Sequence, residues 1–272
     1  MTTKAEKRRA RLDIIVLCTL PILAAVASIF LDINFLTSII LFFGLPATYL
    51  SFRTPNAIAR SLLFSLVTLI AIAFIEYYAG VDKSWYVHSI FPRVFDHIAI
   101  EDLVWGFLLT YFIVMFYEHF FDKGRHKVVG VGLKYFALML AGVFSVLFTL
   151  HFMDPKNIEF FYFRAGLILL LLPVISVLII FPKYISVLLK ITPYFFGLGL
   201  IVALTSIQNG YWYYPGENFI GWVSIGSYRF PIEELIFWMT LLSSAIIVYF
   251  EFFDDNRARL PQKAYRKIMK NL

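Results

Sequence analysis

Residues 62–80 read LLFSLVTLIAIAFIEYYAG and contain one charged side chain, that of Glu76. A run of roughly 20 mostly apolar residues is long enough to cross the hydrocarbon core of a membrane as a helix. Because lipid offers the backbone no hydrogen-bond partner, such a segment must form its amide hydrogen bonds within itself. The stretch therefore predicts a membrane-spanning helix that carries an acid near one end.

The rest of the chain has the same character. Of its 272 residues, 60% are hydrophobic, 19% are aromatic and 15% are charged, whereas soluble domains carry about 25% charged residues. Eight apolar runs are long enough to span a membrane, and we expect an all-α polytopic membrane protein without a separate soluble domain. The runs lie at about 12–31, 35–52, 62–80, 98–119, 134–152, 160–181, 191–209 and 231–250.

The basic residues predict how these helices are oriented, because loops rich in Lys and Arg stay in the cytoplasm. With the N-terminus inside, 19 of the 24 Lys and Arg residues are cytoplasmic. We therefore expect both termini to be cytoplasmic, in a multi-pass plasma-membrane protein. The net charge of +6 then reflects a membrane surface rather than a nucleic-acid partner.

A cleaved signal peptide is the alternative for the N-terminus. It would end near Ala25-Val-Ala27, but the apolar run continues to Leu31, which favours a membrane anchor.

An internal repeat divides the chain. A shift of 132 residues aligns the segment 99–103 (AIEDL) with 231–235 (PIEEL), and 117–122 (YEHFFD) with 249–254 (YFEFFD). The same shift places Glu76 on Gln208. Four helices in each half imply two parallel repeats. The expected organisation is a basic tail at 1–11, repeats at 12–122 and 134–254, a connection at 123–133 and a second basic tail at 255–272.

Two acidic pairs, Glu101-Asp102 and Glu233-Glu234, begin equivalent helices of the two halves. One interpretation is helix capping, because Pro at the first position and acids in the first turn stabilise any helix N-terminus. The functional interpretation rests on the rarity of acids near hydrocarbon. Adjacent helical residues point about 100° apart, so one acid of each pair can face the bundle. The sequence leaves open which one does.

The sequence contains few residues that could support metal or redox chemistry. The single cysteine, Cys18, excludes an intrachain disulfide framework and a cysteine-based metal site, and the five histidines are scattered. Gly197-Leu-Gly199 lacks the third glycine and the strand of a dinucleotide fingerprint. We therefore predict no metal and no cofactor.

Several motifs together resemble the lycopene cyclase domain family of carotenoid biosynthesis, of the heterodimeric or fused type. The segment 231–237 (PIEELIF) matches its Pro-x-Glu-Glu-x-x-Phe signature, and both halves, roughly 33–122 and 160–254, are covered. Ala99 and Asp102 replace the Pro and the second Glu in the first half, Glu76 stands where the family often has Asp, and an extra helix precedes each half. The other matching residues are Leu50-Ser51-Phe52, Glu76, Trp85-Tyr86 and Tyr117-Glu118.

The resemblance implies cyclisation of the end groups of a linear polyene such as lycopene, without net oxidation or a cofactor. A carboxylic acid would protonate the terminal alkene, and aromatic faces would stabilise the resulting carbocation. The hydrophobic polyene and the lipid bilayer would be the partners, and a homo-oligomer is left open. The predicted catalytic residues are Glu233, Glu234, Glu101, Asp102 and Glu76, and the predicted cation-stabilising residues are Trp212, Tyr213, Trp222, Trp85 and Tyr86.

Three alternatives stay open at the level of sequence. Water could capture the same cation, which would make the reaction a hydration. A transporter would have ionisable residues near the bilayer midplane and often inverted repeats, whereas the acids here lie near segment ends or in loops. The altered motif of the first half is also compatible with a non-catalytic assembly partner.

Overall fold

The computed structural model describes residues 4–122 and 132–251. Within these ranges, seven helical segments are long and apolar enough to cross a membrane. The protein is therefore an all-α, membrane-embedded chain. The seven segments are Arg8–Phe30, Phe35–Arg53, Pro55–Val81, Ile100–Asp122, Lys134–Met153, Phe161–Ile180 and Pro182–Gln208.

The described residues contain ten α-helices, nine of which form these segments, and several continue into π-helical turns. The helices are α1 (Lys4–Phe30), α2 (Phe35–Ile39), α3 (Leu45–Arg53), α4 (Ile58–Val81), α5 (Ile100–Tyr117), α6 (Gly132–Met153), α7 (Phe161–Ala165), α8 (Leu172–Ile180), α9 (Ile185–Gln208) and α10 (Leu242–Tyr249). The π-helical turns are Ile40–Gly44, Glu118–Asp122, Gly166–Leu171 and Glu234–Met239.

Two of the predicted boundaries differ from the structure. Helix α1 begins at Lys4, eight residues before the predicted start of the first run at residue 12, so most of the basic segment 1–11 is helical. The run 231–250 is interrupted, because a π-helical turn is followed by a turn at Thr240 and Leu241 before α10 begins. It is therefore not one of the seven continuous segments. Most of the connection 123–133 and the tail 255–272 lie outside the described residues.

Two regions share a sequence of elements. Helices α2 and α7 have five residues each, each leads through a π-helical turn into a nine-residue helix with Pro at its start, and α4 and α9 have 24 residues each. Ile185 follows Ile58 by 127 residues, which pairs Glu76 with Ala203. The alignment of Glu76 with Gln208 therefore does not hold along α4 and α9, because the loop after α9 is five residues longer than the loop after α4.

Helix α5 lies at the centre of the bundle. Of its apolar window, 67% is buried, compared with 17% for α6. Helix α4 packs closely on α5 because Gly106 has no side chain: a Cβ there would lie 2.7 Å from Cδ1 of Ile72. This close approach brings the end of α4 that carries Glu76 to the start of α5.

The loops 82–99 and 209–231 cover this end of the bundle and carry four short strands. Strand β1 (Tyr86–Val87) pairs antiparallel with β2 (Trp212–Tyr213), and β3 (Trp222–Ile225) pairs with β4 (Tyr228–Pro231). Because β1 and β2 come from different regions of the chain, their pairing fixes the two loops against each other.

Candidate functional site

A cavity lies beneath these loops and encloses about 740 Å³ of space, counting its mouth. Small-molecule sites are mostly apolar with a few placed polar groups, and this cavity has the same composition. Three acids and a set of aromatic residues line it. The acids are Glu76, Asp102 and Glu234, and the aromatic residues are Trp85, Trp105, Tyr162, Trp212, Tyr214 and Trp238.

The first two acids form a pair between α4 and α5. Glu76 is 4% exposed and Asp102 is 5% exposed, and their carboxyl groups are within hydrogen-bonding range of each other. Trp85 donates its indole N–H to Oε2 of Glu76 at 3.1 Å. A carboxylate can only accept hydrogen bonds, so a bond between two carboxyl groups needs a proton on one of them. The pair is thus able to hold a proton inside an apolar cavity.

The third acid, Glu234, has a different partner. The hydroxyl of Tyr162, in α7, donates a hydrogen bond to its carboxyl group. The ring of Tyr162 stacks on Trp238 with 5.3 Å between centroids and lies 5.1 Å from the ring of Trp85. Because Trp85 also binds Glu76, one aromatic cluster, Trp85, Tyr162 and Trp238, connects the carboxyl pair with Glu234.

The other acid of each pair does not line the cavity. Glu101 is fully buried and accepts hydrogen bonds from the backbone N–H of Ile90 at 2.6 Å and from Oγ of Ser89 at 2.5 Å. Glu233 is also fully buried and accepts from the backbone N–H of Ile220 at 2.6 Å. In both pairs, therefore, the first acid binds the covering loop and the second faces the cavity.

The predicted aromatic residues divide into two groups. Trp85 and Trp212 line the cavity. Tyr86 and Tyr213 pair with each other across β1 and β2, with ring centroids 5.3 Å apart, and are not part of its wall. Trp222 is also outside the wall.

Trp222 already has a cationic partner. The guanidinium of Arg229 lies 4.3 Å from the centroid of its ring, which occupies one aromatic face. The structure thus brings together Glu76, Asp102, Glu234, Trp85 and Trp212, and separates them from the other predicted site residues.

Several cavity residues were not among the predicted site residues. Trp105, Gly106 and Leu109 follow Asp102 at the three-, four- and seven-residue spacing of one helix face, so the periodicity of α5 could have identified Trp105. Trp238 follows Glu234 by four residues. Tyr162 comes from another helix, and no local pattern in the sequence connects it to Glu234.

Two residues of the covering loops, Asp82 and Tyr214, have raised pKa values. Burial raises the pKa of Asp82, although hydrogen bonds from Nδ2 of Asn218, Oγ of Ser84 and the backbone N–H of Phe161 oppose this shift. These bonds hold the two loops and the start of α7 together. Burial also raises the pKa of the Tyr214 phenol, so this cavity-lining hydroxyl keeps its proton at neutral pH.

In comparisons with protein-family models, curated proteins and solved structures, none was significantly similar to this chain. Among the described residues, no group of three or more His, Cys, Asp or Glu side chains could hold a metal ion. The arrangement itself can supply a proton, stabilise positive charge on aromatic faces and accept a proton at a second carboxyl group.

Proposed function

We propose that this chain is a membrane enzyme of the lycopene cyclase type, which cyclises the end groups of a linear polyene through a carbocation. The observation that carries the proposal is the convergence of Asp102, Glu76 and Glu234 on one cavity lined with aromatic rings. Acids near hydrocarbon are rare and mark functional sites in membrane proteins. The resemblance of the segment 231–237 to the family signature agrees with this reading.

The reaction begins at the carboxyl pair. Asp102, with Glu76 beside it, gives its proton to the terminal double bond of the polyene, which leaves a cation on the tertiary carbon. Aromatic faces stabilise such a cation by about 2 kcal/mol each when water is excluded. The next double bond of the polyene attacks the cation and closes the ring.

Loss of a proton ends the reaction. Glu234 accepts a proton from the carbon next to the ring cation, so that a new double bond forms and the substrate keeps its oxidation state. Tyr162 positions the carboxylate of Glu234 for this step through its hydrogen bond. A proton enters from one carboxyl group and leaves to another, and no cofactor is needed.

We also infer that the chain consists of two parallel repeats with eight membrane-spanning segments. The matched lengths of α2, α3 and α4 with α7, α8 and α9 support the repeats, and the interrupted segment 231–250 corresponds to α5. Both termini would then lie in the cytoplasm at the plasma membrane. Reporters placed after Leu272 and near Arg125 should be cytoplasmic and one near Asn218 external; an external reporter at Leu272 would contradict this topology.

Expression of the chain in a host that accumulates lycopene tests the reaction. We expect products with one or two rings, of the same mass as the substrate, and none with the Asp102→Asn variant at equal amounts of folded protein. Unchanged lycopene in the presence of folded parent protein would contradict the proposed cyclisation. A product heavier by one water would identify the reaction as hydration instead.

A further inference from the structure

A second chamber adjoins the cavity and contains about 470 Å³ of space, counting its mouth. The two share a wall that includes Trp105, Glu234 and Trp238. The rest of the second chamber is formed by α5, α9 and the last helical segment, with apolar side chains such as Ile113 and Phe195. Glu234 thus borders both spaces, whereas Glu76 and Asp102 border the first alone.

Four hydrogen-bond donors of residues that line the second chamber have no partner among the described residues: Nε1 of Trp105, Trp212 and Trp238, and Oγ of Ser243. Each belongs to a residue that lines the chamber, and each atom is buried. A buried serine in a helix can bond to the carbonyl one turn earlier, as Ser65 does to the carbonyl of Ser61 at 2.8 Å. Ser243, which is 1% exposed, does not.

A purely hydrocarbon occupant cannot satisfy these donors, because it has no acceptor. Buried polar groups in proteins are nearly always paired with protein or water, and leaving one unpaired is costly. Four such donors around one chamber next to a carboxyl group therefore point to a ligand oxygen.

We propose that the second chamber binds a ligand oxygen that accepts hydrogen bonds from Ser243 and Trp105. This inference rests on the proposed carbocation chemistry: an oxygen on the polyene would specify the substrate of the cyclisation, whereas a bound water would make the reaction a hydration. The oxygen is either a hydroxyl or carbonyl group on the polyene or a bound water molecule. In the second case water adds to the tertiary cation: its oxygen forms a bond to the carbon, one of its protons goes to Glu234, and the product is a tertiary alcohol of unchanged oxidation state.

The test measures binding first. The full chain in lipid nanodiscs is titrated with lycopene and with lycopene that carries a terminal hydroxyl group, and binding is followed by the shift in polyene absorption. If the oxygen belongs to the substrate, the hydroxylated polyene should bind about tenfold more tightly, equivalent to about 1.4 kcal/mol. Ser243→Ala and Trp105→Phe should each reduce this preference to about threefold or less.

The neighbouring serine supplies the matched control. Ser244 is equally buried, but its hydroxyl is hydrogen-bonded to Oγ1 of Thr192 at 2.9 Å, and it lines neither chamber. Ser244→Ala should leave the preference unchanged. If Ser243→Ala and Ser244→Ala have the same effect, the chamber does not bind oxygen through Ser243 and the proposal is overturned.

The water alternative has a separate readout. If the chain does not prefer the hydroxylated polyene, turnover in ¹⁸O-labelled water should place the label in the product. Ser243→Ala should then lower the fraction of product that carries the label severalfold. If neither a binding preference nor a labelled product is observed, the proposal is overturned. A binding preference together with an inactive parent would instead contradict the proposed function and leave the oxygen site intact, so the two failures are distinguishable.

Discussion

The two acidic pairs look alike in sequence but have different partners at the cavity. In the first half, Asp102 faces a second carboxyl group, Glu76, which also accepts a hydrogen bond from Trp85. In the second half, Glu234 faces the phenol of Tyr162 instead. A carboxyl group beside another carboxyl group can share a proton, whereas a carboxylate bound by a phenol accepts one hydrogen bond and gives none. This difference is the basis of our proposal that the first half donates the proton and the second half accepts it.

The largest effect is expected at the proposed donor. Asp102→Asn keeps the size and polarity of the side chain but removes the acid, so turnover per folded protein should fall about 100-fold or more, the usual scale for general acid catalysis. Cyclised product is measured by chromatography against the amount of folded protein. Glu101→Gln is the control, because its carboxyl group binds the loop next to the same site. Near-normal turnover of Asp102→Asn would mean that the acid of the first half does not donate the proton.

Two variants of the second half should lower turnover to different extents. Glu234→Gln removes the proposed proton acceptor and should lower turnover by about 100-fold. Tyr162→Phe removes only the hydrogen bond to the carboxylate, which is worth about 1.5 kcal/mol, and should lower turnover by about tenfold. The same measurement ranks the two variants. A loss in Tyr162→Phe as large as in Glu234→Gln would mean that the phenol itself takes part in the chemistry.

Part of this site could be predicted from the sequence. Hydropathy locates the helices, and the repeated acidic pairs place carboxyl groups at equivalent helix starts. Which acid faces the cavity could not be predicted, because the choice depends on the backbone N–H groups of Ile90 and Ile220, and no residue pattern shows where those loops fold. The partner of Glu234 could not be predicted either, because Tyr162 reaches it only through the packing of α7 against the last helical segment.

The aromatic wall offers a matched pair of tryptophans. Trp238 stacks on Tyr162 within the cavity, whereas Trp222 lies outside it beneath Arg229. Trp238→Leu should lower turnover by about tenfold or more, because a desolvated cation–π contact is worth about 2 kcal/mol. Trp222→Leu should change turnover by no more than about twofold. Equal losses in both variants, at equal amounts of folded protein, would mean that neither ring acts on the cation.

The smallest effect on turnover is expected where the two halves are alike. Glu101 and Glu233 each bind a backbone N–H of the covering loop at 2.6 Å and do not line the cavity. Glu101→Ala and Glu233→Ala remove these hydrogen bonds to the covering loops, so each should lower the free energy of unfolding by about 0.5–1.5 kcal/mol. Product per folded molecule should stay within about twofold of the parent, since neither group meets the substrate. Unfolding is followed in detergent by the loss of helical signal with added denaturant, and turnover is measured on the fraction that remains folded. A large loss of turnover in either variant with unchanged stability would show that the halves use both acids of a pair in the reaction, and the division between loop-binding and cavity-facing acids would then be wrong.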